Sequence, residues 1–133
     1  MPEIPQITSQ TAWQLMLDNE NTLLVDVRTE TEWQTVGVPD PSETGRPARF
    51  VSWTDERGNR NPYFADQVTD GVGPDTPILL LCRSGVRSNA AAELLISMGF
   101  SQAMNIASGF ESPQDPSAGW KAQMPSSAYD GSL

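Results

Sequence analysis

The stretch that decides the fold is Ile78-Leu79-Leu80-Leu81-Cys82-Arg83-Ser84-Gly85-Val86-Arg87-Ser88-Asn89-Ala90-Ala91-Ala92. Its first four residues are aliphatic, and a short continuous apolar run of this kind is typical of a strand buried on both faces. From Ser88 onward, apolar side chains recur at helical spacing as far as Met98, and Gly99 stands where helices commonly end in a left-handed cap. The stretch therefore predicts a strand, a loop and a helix in succession.

The predicted loop contains Cys82, which is the one cysteine in the chain. Backbone N–H groups at the start of a helix converge on one point, and the helix dipole adds partial positive charge there. A thiolate is stabilised in such a place, and nearby arginines strengthen the effect. A lone cysteine after a strand is usually buried and inert, but the glycine, the arginines and the helix that follow favour a nucleophile. The candidate anion-binding loop comprises Arg83, Ser84, Gly85, Val86, Arg87 and Ser88.

Length and charge limit the remaining possibilities. A chain of 133 residues suits one domain, and eight basic against 17 acidic residues give a net charge of −9. Nucleic acid and acidic membranes are therefore poor partners, although the two loop arginines make a local positive spot. No apolar run approaches the roughly 20 residues that cross a bilayer, and the N-terminus lacks the features of a signal peptide. A single cysteine allows no internal disulfide, so we expect a cytoplasmic protein.

A second apolar run, Thr22-Leu23-Leu24-Val25-Asp26-Val27-Arg28, ends in charged residues and predicts another interior strand. In parallel α/β sheets, ligands bind outside the carboxyl ends of the strands. We therefore expect Asp26 and Arg28 to emerge on the same edge of the sheet as Cys82. A short helix over residues 29–36 brings Glu32 to the same neighbourhood.

The other predicted elements follow in chain order. They are a helix capped by Thr8 or Ser9 and ending near Asn19, a strand over 48–53, a short helix between 61 and 70, and a last strand over 102–106. Residues 40–47 and 111–118 are polar or rich in proline and predict surface loops. Residues 1–125 are expected to form the single domain, and residues 126–133 a flexible tail.

Several of these landmarks resemble, in order, those of a single-domain rhodanese-like sulfurtransferase. They are Asp26-Val27-Arg28, Glu32-Trp33, the run from Cys82 to Ser88, Gly109-Phe110, and residues 120–125. The resemblance implies a rhodanese-like α/β fold with a doubly wound, mainly parallel five-stranded sheet flanked by helices. It also implies transfer of sulfur through a persulfide on Cys82, with no metal and no cofactor.

The sequence departs from the family pattern in three places. Many members carry Gly-His-Ile-Pro-Gly-Ala where this chain has Gly37-Val38-Pro39-Asp40-Pro41-Ser42, and the chain contains no histidine. A histidine base is therefore excluded. The connection before Phe50 is longer than usual, and residues 111–118 read as an insertion. Both segments are expected near the site.

The expected reaction needs few groups. The Cys82 thiolate attacks the outer sulfur of a small anionic donor such as thiosulfate, and the departing sulfite needs no proton. Because no second cysteine can resolve the persulfide, the acceptor is external: cyanide, a small thiol or a partner protein. One alternative is a module that carries a persulfide or regulates a partner. A less favoured one is a cysteine phosphatase or arsenate reductase, in which five residues separate Cys from Arg, whereas four separate Cys82 from Arg87.

The charged residues around the loop are expected to have different roles. Arg87 is assigned to the sulfonate group of the donor. Arg83 either attracts the anion or pairs with Asp26. Arg28 and Glu32 are read as an ion pair that braces the edge of the loop. A carboxylate beside a thiolate opposes its ionisation, so Asp26 is expected to be structural.

Three uncharged residues complete the set. Ser84 and Ser88 are candidate donors to sulfur, and Ser88 is equally a candidate N-cap of the helix. Trp53, at a predicted strand end, is a possible wall of the substrate pocket. The oligomeric state is not predicted.

Overall fold

Five short strands form one parallel sheet in the computed structural model of the chain, which describes residues 3–131. The strand order is β1-β6-β5-β2-β4, and each adjacent pair is parallel. A separate antiparallel pair joins β3 and β7. The strands are β1 (Gln6–Ile7), β2 (Leu23–Asp26), β3 (Val38–Pro39), β4 (Arg49–Phe50), β5 (Ile78–Leu81), β6 (Ala103–Ile106) and β7 (Ser126–Ser127).

Five α-helices lie within residues 3–131. They are α1 (Ser9–Asp18), α2 (Glu30–Val36), α3 (Phe64–Thr69), α4 (Val86–Ser97) and α5 (Trp120–Gln123). Thr8 caps α1 by accepting a hydrogen bond from the N–H of Thr11, and Thr29 and Glu32 form a reciprocal capping box on α2. Within residues 3–131, none of the helices is long and apolar enough to cross a bilayer.

Successive side chains of the central strands point to opposite faces of the sheet, and both faces are covered. One face packs against α3 and α4, with Val25, Leu80 and Leu95 fully buried. The other packs against α1 and α5, with Leu24 and Leu79 fully buried. Double coverage explains why residues 23–25 of β2 and all of β5 are apolar. The predicted α/β class with a five-stranded parallel sheet is confirmed.

The register brings the candidate site together at one edge. Asp26 of β2 lies opposite Leu81 of β5, and the N–H of Val27 donates to the carbonyl of Leu81 at 2.8 Å. Both strands therefore end at the same level, so the residues that follow them emerge side by side. Cys82 and Arg28 lie at this edge, as expected for parallel strands.

Some predicted boundaries are wrong. Helix α4 begins at Val86 rather than Ser88, because Gly85 occupies the N-cap position, and Ser88 lies inside the first turn. The strand expected over 48–53 is limited to two residues. Strand β1 was not predicted, since a strand of two residues is too short to show an alternating pattern.

The segments on either side of the small β3–β7 sheet pack together. The N–H of Asp40 donates to the carbonyl of Pro125, and Tyr129 contacts the rings of Trp33 and Phe50, with centroids 5.4 and 5.8 Å away. The 40–47 loop therefore lies beside the C-terminal segment. The predicted flexibility of residues 126–133 stays a prediction. This segment contains strand β7 and the aromatic contact of Tyr129. Residues 132–133 lie outside the described part of the chain.

Candidate active site

Cys82 follows the last residue of β5 and is almost completely buried, with 1% of its surface exposed. Its sulfur accepts three hydrogen bonds: from the N–H of Gly85 at 3.1 Å, the N–H of Ser88 at 3.4 Å and the hydroxyl of Ser88 at 3.2 Å. All the donors belong to the first turn of α4 or its N-cap. The sulfur therefore lies where the start of the helix stabilises negative charge.

The loop keeps this shape because glycine is required at its turn. Gly85 has a φ of 94°, and a Cβ added there would lie 2.4 Å from the carbonyl oxygen of Ala107. Gly109 is packed as tightly, since an added Cβ would lie 2.3 Å from the carbonyl oxygen of Arg83. Through both contacts, the segment after β6 packs directly against the backbone of the Cys82 loop.

The same segment supplies hydrogen bonds to the loop backbone. The N–H of Phe110 donates to the carbonyl of Cys82 at 2.7 Å, and the N–H groups of Glu111 and Ser112 donate to the carbonyl of Arg83 at 3.2 and 3.3 Å. The beginning of the 111–118 insertion therefore borders the site. These bonds satisfy the carbonyl groups of Cys82 and Arg83, and the N–H groups of Gly85 and Ser88 donate to the sulfur.

Arg87 is held by Glu32 in a two-pronged ion pair. Its Nη1 and Nη2 atoms lie 2.7 and 2.9 Å from the two carboxylate oxygens. Burial opposes ionisation of Glu32, but Arg87 and hydrogen bonds from Thr29 outweigh it and hold the pKa of Glu32 below its usual value. The carboxylate in turn raises the pKa of Arg87. The predicted Arg28–Glu32 pair is therefore wrong.

Arg28 pairs with Asp26 instead, and both side chains are fully buried. The Nη2 atom of Arg28 lies 2.8 Å from Asp26 Oδ2 and also donates to the carbonyl of Gly37 at 2.8 Å. The guanidinium carbon lies 4.2 Å from the ring centroid of Phe110. Arg28 therefore neutralises the charge of Asp26. The structural role expected for Asp26 stays a prediction.

Arg83 does not reach Asp26. Its Nε lies 3.3 Å from Glu111 Oε1, in a pair whose arginine side chain is 52% exposed. Both loop arginines are thus paired with glutamates, so the loop is not the net positive spot that its sequence suggested. Their part in binding a donor stays a prediction.

Three residues of the predicted site occupy two different surroundings. Ser84 and Val86 line an open surface depression of about 470 Å³ beside the loop, and Val86 is 73% exposed. Trp53 is buried edge-on against Phe64, and the guanidinium carbon of Arg60 lies 3.5 Å from its ring centroid. Trp53 therefore packs in the core under Arg60, and its role as a pocket wall stays a prediction.

Asn105 is a site residue that the sequence analysis missed. It lies on β6, and its Oδ1 accepts a hydrogen bond of 2.5 Å from the hydroxyl of Ser88, the same hydroxyl that contacts the sulfur. The available signal was a polar residue in the otherwise apolar end of a predicted strand. Buried polar side chains need partners, so such a residue indicates a hydrogen-bond network in the core.

The arrangement suits covalent chemistry at a single sulfur. Among residues 3–131, no group of three or more cysteine and acidic side chains is placed to hold a metal ion. Donors converge on Cys82 Sγ, and the neighbouring charges occur in pairs. Such a site stabilises an anionic sulfur nucleophile without a neighbouring base.

Comparison with known proteins finds a family and relatives that match most of the chain. A family profile described as a rhodanese-like domain matches residues 8–115, which include Cys82 and Asn105. An uncharacterized protein of Rickettsia conorii, RC0915, is 36% identical over 120 residues, covering 89% of this chain and 92% of the relative. The thiosulfate sulfurtransferase GlpE of Glaesserella parasuis is 27% identical over 106 residues, covering 80% and 82%.

A solved structure has the same architecture over nearly the whole chain. The crystal structure of Rv0390 from M. tuberculosis superimposes with a TM-score of 0.86 and 37% sequence identity. The match covers 96% of this chain and all of the other. The fold is therefore shared with another solved protein.

Proposed function

The chain belongs to the rhodanese-like domain family, and from this membership we propose that it is a sulfurtransferase that carries sulfur as a persulfide on Cys82. The observation that supports the proposal most strongly is the set of three hydrogen bonds donated to Cys82 Sγ by Gly85 and Ser88. Donors of this kind favour a sulfur that carries negative charge.

In the first step, the thiolate of Cys82 attacks the outer sulfur of thiosulfate. A bond forms between the two sulfur atoms, and the bond from the outer sulfur to the sulfonate group breaks. The electron pair of the broken bond leaves with sulfite, a stable anion, so no proton has to be supplied. The absence of histidine from the sequence is therefore compatible with this step.

In the second step, an acceptor nucleophile such as cyanide attacks the terminal sulfur of the persulfide. The bond between the two sulfur atoms breaks, and its electron pair returns to Cys82 Sγ as thiolate, while cyanide becomes thiocyanate. The donors of the loop stabilise the departing thiolate in the same way that they stabilise the attacking one. Because the chain has no second cysteine, the acceptor is a separate molecule.

Cys82→Ser tests this proposal, because a hydroxyl is similar in shape but a much weaker nucleophile at neutral pH. We expect the variant to form no thiocyanate from thiosulfate and cyanide above the background rate, while its circular dichroism spectrum matches that of the wild type. Thiocyanate formation by the variant at a rate comparable with the wild type would contradict the assignment of Cys82.

The pairing of both loop arginines with glutamates favours a second candidate, a carrier that exchanges sulfur with a partner protein. A site without free cations attracts small anions weakly, whereas a protein thiol needs no such attraction. A carrier differs from a thiosulfate-using enzyme in that it accepts sulfur as a persulfide on Cys82 but turns over thiosulfate and cyanide slowly. A cysteine phosphatase is disfavoured, because Glu32 already occupies the guanidinium of Arg87 that a phosphate group would need.

A further inference from the structure

The hydroxyl of Ser88 has two acceptors and one hydrogen. Cys82 Sγ lies 3.2 Å from Ser88 Oγ, and Asn105 Oδ1 lies 2.5 Å from it. A serine hydroxyl donates a single hydrogen bond, so it serves one of these acceptors at a time. All three residues are almost completely buried.

The surroundings of Asn105 fix which of its atoms faces Ser88. Its Nδ2 donates to the backbone carbonyl of Gly85 at 3.1 Å and to Gln6 Oε1 at 2.8 Å. A backbone carbonyl only accepts hydrogen bonds, so the atom beside it is the amide nitrogen. Oδ1 therefore faces Ser88 and acts as an acceptor.

Whether the Ser88 hydroxyl donates to Cys82 Sγ or to Asn105 Oδ1 depends on the charge of the sulfur. A neutral thiol or a persulfide Sγ is a weak acceptor, so the hydrogen goes to Asn105, which is closer. A thiolate is a strong, charge-assisted acceptor and draws the hydrogen to itself. That change leaves Asn105 Oδ1 buried without its partner, at a cost in free energy.

We propose that Asn105 is a positioning residue for sulfur transfer, which competes with Cys82 Sγ for the hydroxyl hydrogen of Ser88. The inference rests on the proposed function, because Cys82 is taken as the sulfur that reacts. When Sγ becomes neutral in the persulfide, Asn105 accepts the hydrogen and keeps Ser88 satisfied. When Sγ is a thiolate, Asn105 limits its stabilisation and preserves its nucleophilicity, which falls as a thiolate is stabilised.

The charged groups around Cys82 are the pairs Arg87–Glu32, Arg28–Asp26 and Arg83–Glu111. Ser88 and Asn105 belong to none of these pairs, so we expect substitutions there to leave the pairs in place. A change in the pH at which Cys82 becomes reactive, compared between such variants, therefore reports on the hydroxyl rather than on the ion pairs.

The test is the rate of Cys82 alkylation by iodoacetamide as a function of pH in the folded protein. In Asn105→Ala the Ser88 hydrogen is free for the thiolate, so we expect the midpoint to fall by roughly half to one pH unit. Asn105→Leu removes the acceptor with less loss of volume and serves if the alanine variant is unfolded. Gln102→Ala, which removes an exposed amide next to the same strand, is the control and should keep the wild-type midpoint.

The decisive comparison is made without the hydroxyl. In Ser88→Ala, the additional change Asn105→Ala should not lower the midpoint, whereas in Ser88→Thr, which retains a hydroxyl, it should. An equal fall in the Ser88→Ala background, or no fall in the wild-type background, would overturn the proposal. Because alkylation needs no sulfur donor, this result is independent of whether Cys82 accepts sulfur from thiosulfate.

Discussion

Glu32 links two parts of the site at the scale of a single residue. Its carboxylate caps the start of α2 through Thr29 and also holds the guanidinium of Arg87, which belongs to α4. The pair therefore joins two helices that are far apart in the sequence. Side chains in this pair are 22% and 27% exposed, so solvent screens the interaction only in part.

The lowered pKa of Glu32 predicts how its contribution depends on pH. A carboxyl group whose pKa is depressed by folding stabilises the protein above its unfolded pKa, and this stabilisation is lost as the pH falls through the folded value. We expect the difference in free energy of unfolding between the wild type and Glu32→Gln to be constant near neutral pH and to shrink below about pH 4.5. Urea denaturation at a series of pH values measures it.

Glu20→Gln is the control for this measurement, because Glu20 is exposed. Its difference from the wild type should be small throughout the range. If the difference for Glu32→Gln is the same at pH 7 and well below pH 4, then the ion pair with Arg87 does not contribute to stability.

At the scale of elements, the site is a junction between β5, α4 and the segment that follows β6. Gly85 allows the chain to turn into α4 and to approach Ala107 closely. The N–H groups of Phe110 and Glu111 then donate hydrogen bonds to carbonyl groups of the loop. The geometry at Cys82 Sγ therefore depends on backbone packing as much as on side chains.

Gly85→Ala tests this dependence, with Gly99→Ala as its matched control. Both glycines have positive φ, 94° and 100°, but an added Cβ meets the carbonyl of Ala107 only at Gly85, since nothing lies within 4 Å of that position at Gly99. We expect Gly99→Ala to cost about 1 kcal/mol from its backbone conformation and to retain activity. Gly85→Ala should lose most thiocyanate formation, because the loop must move.

The two variants are compared by urea denaturation and by steady-state thiocyanate formation per folded molecule. Equal activities in the two variants would show that close packing at Ala107 does not shape the site.

At the scale of the whole molecule, the inner strands β2, β5 and β6 could be predicted from the sequence, and strands β1, β3 and β7 could not. Residues 23–25 and 78–81 are apolar throughout because helices pack on each side of them. Strands β1, β3 and β7 have two residues each and leave no pattern to recognise. Their pairing is decided by contacts between distant parts of the chain.

The site likewise contains residues that could be predicted from the sequence and contacts that could not. Cys82 and its donors lie within seven residues, so the local pattern was sufficient to predict them. Glu32 and Arg87 are 55 positions apart, and Ser88 and Asn105 are 17 apart. Sequence proximity suggested Arg28 as the partner of Glu32, but α2 turns Glu32 toward α4, which only the folded arrangement reveals.

The net charge of −9 describes the whole surface, whereas the site depends on contacts at hydrogen-bond distance. Distant charges are screened over about 8 Å at physiological salt, so the acidic surface has a small effect at Cys82 Sγ. The proposed transfer of sulfur to and from Cys82 therefore depends on local chemistry.

The most direct test is the intact mass of the protein, recorded after thiosulfate and again after cyanide. We predict that the wild type gains the mass of one sulfur atom with thiosulfate and loses it with cyanide, and that Cys82→Ser gains none. A wild type that gains no sulfur from thiosulfate or from a small-molecule persulfide, or a Cys82→Ser variant that gains it equally, would contradict the account.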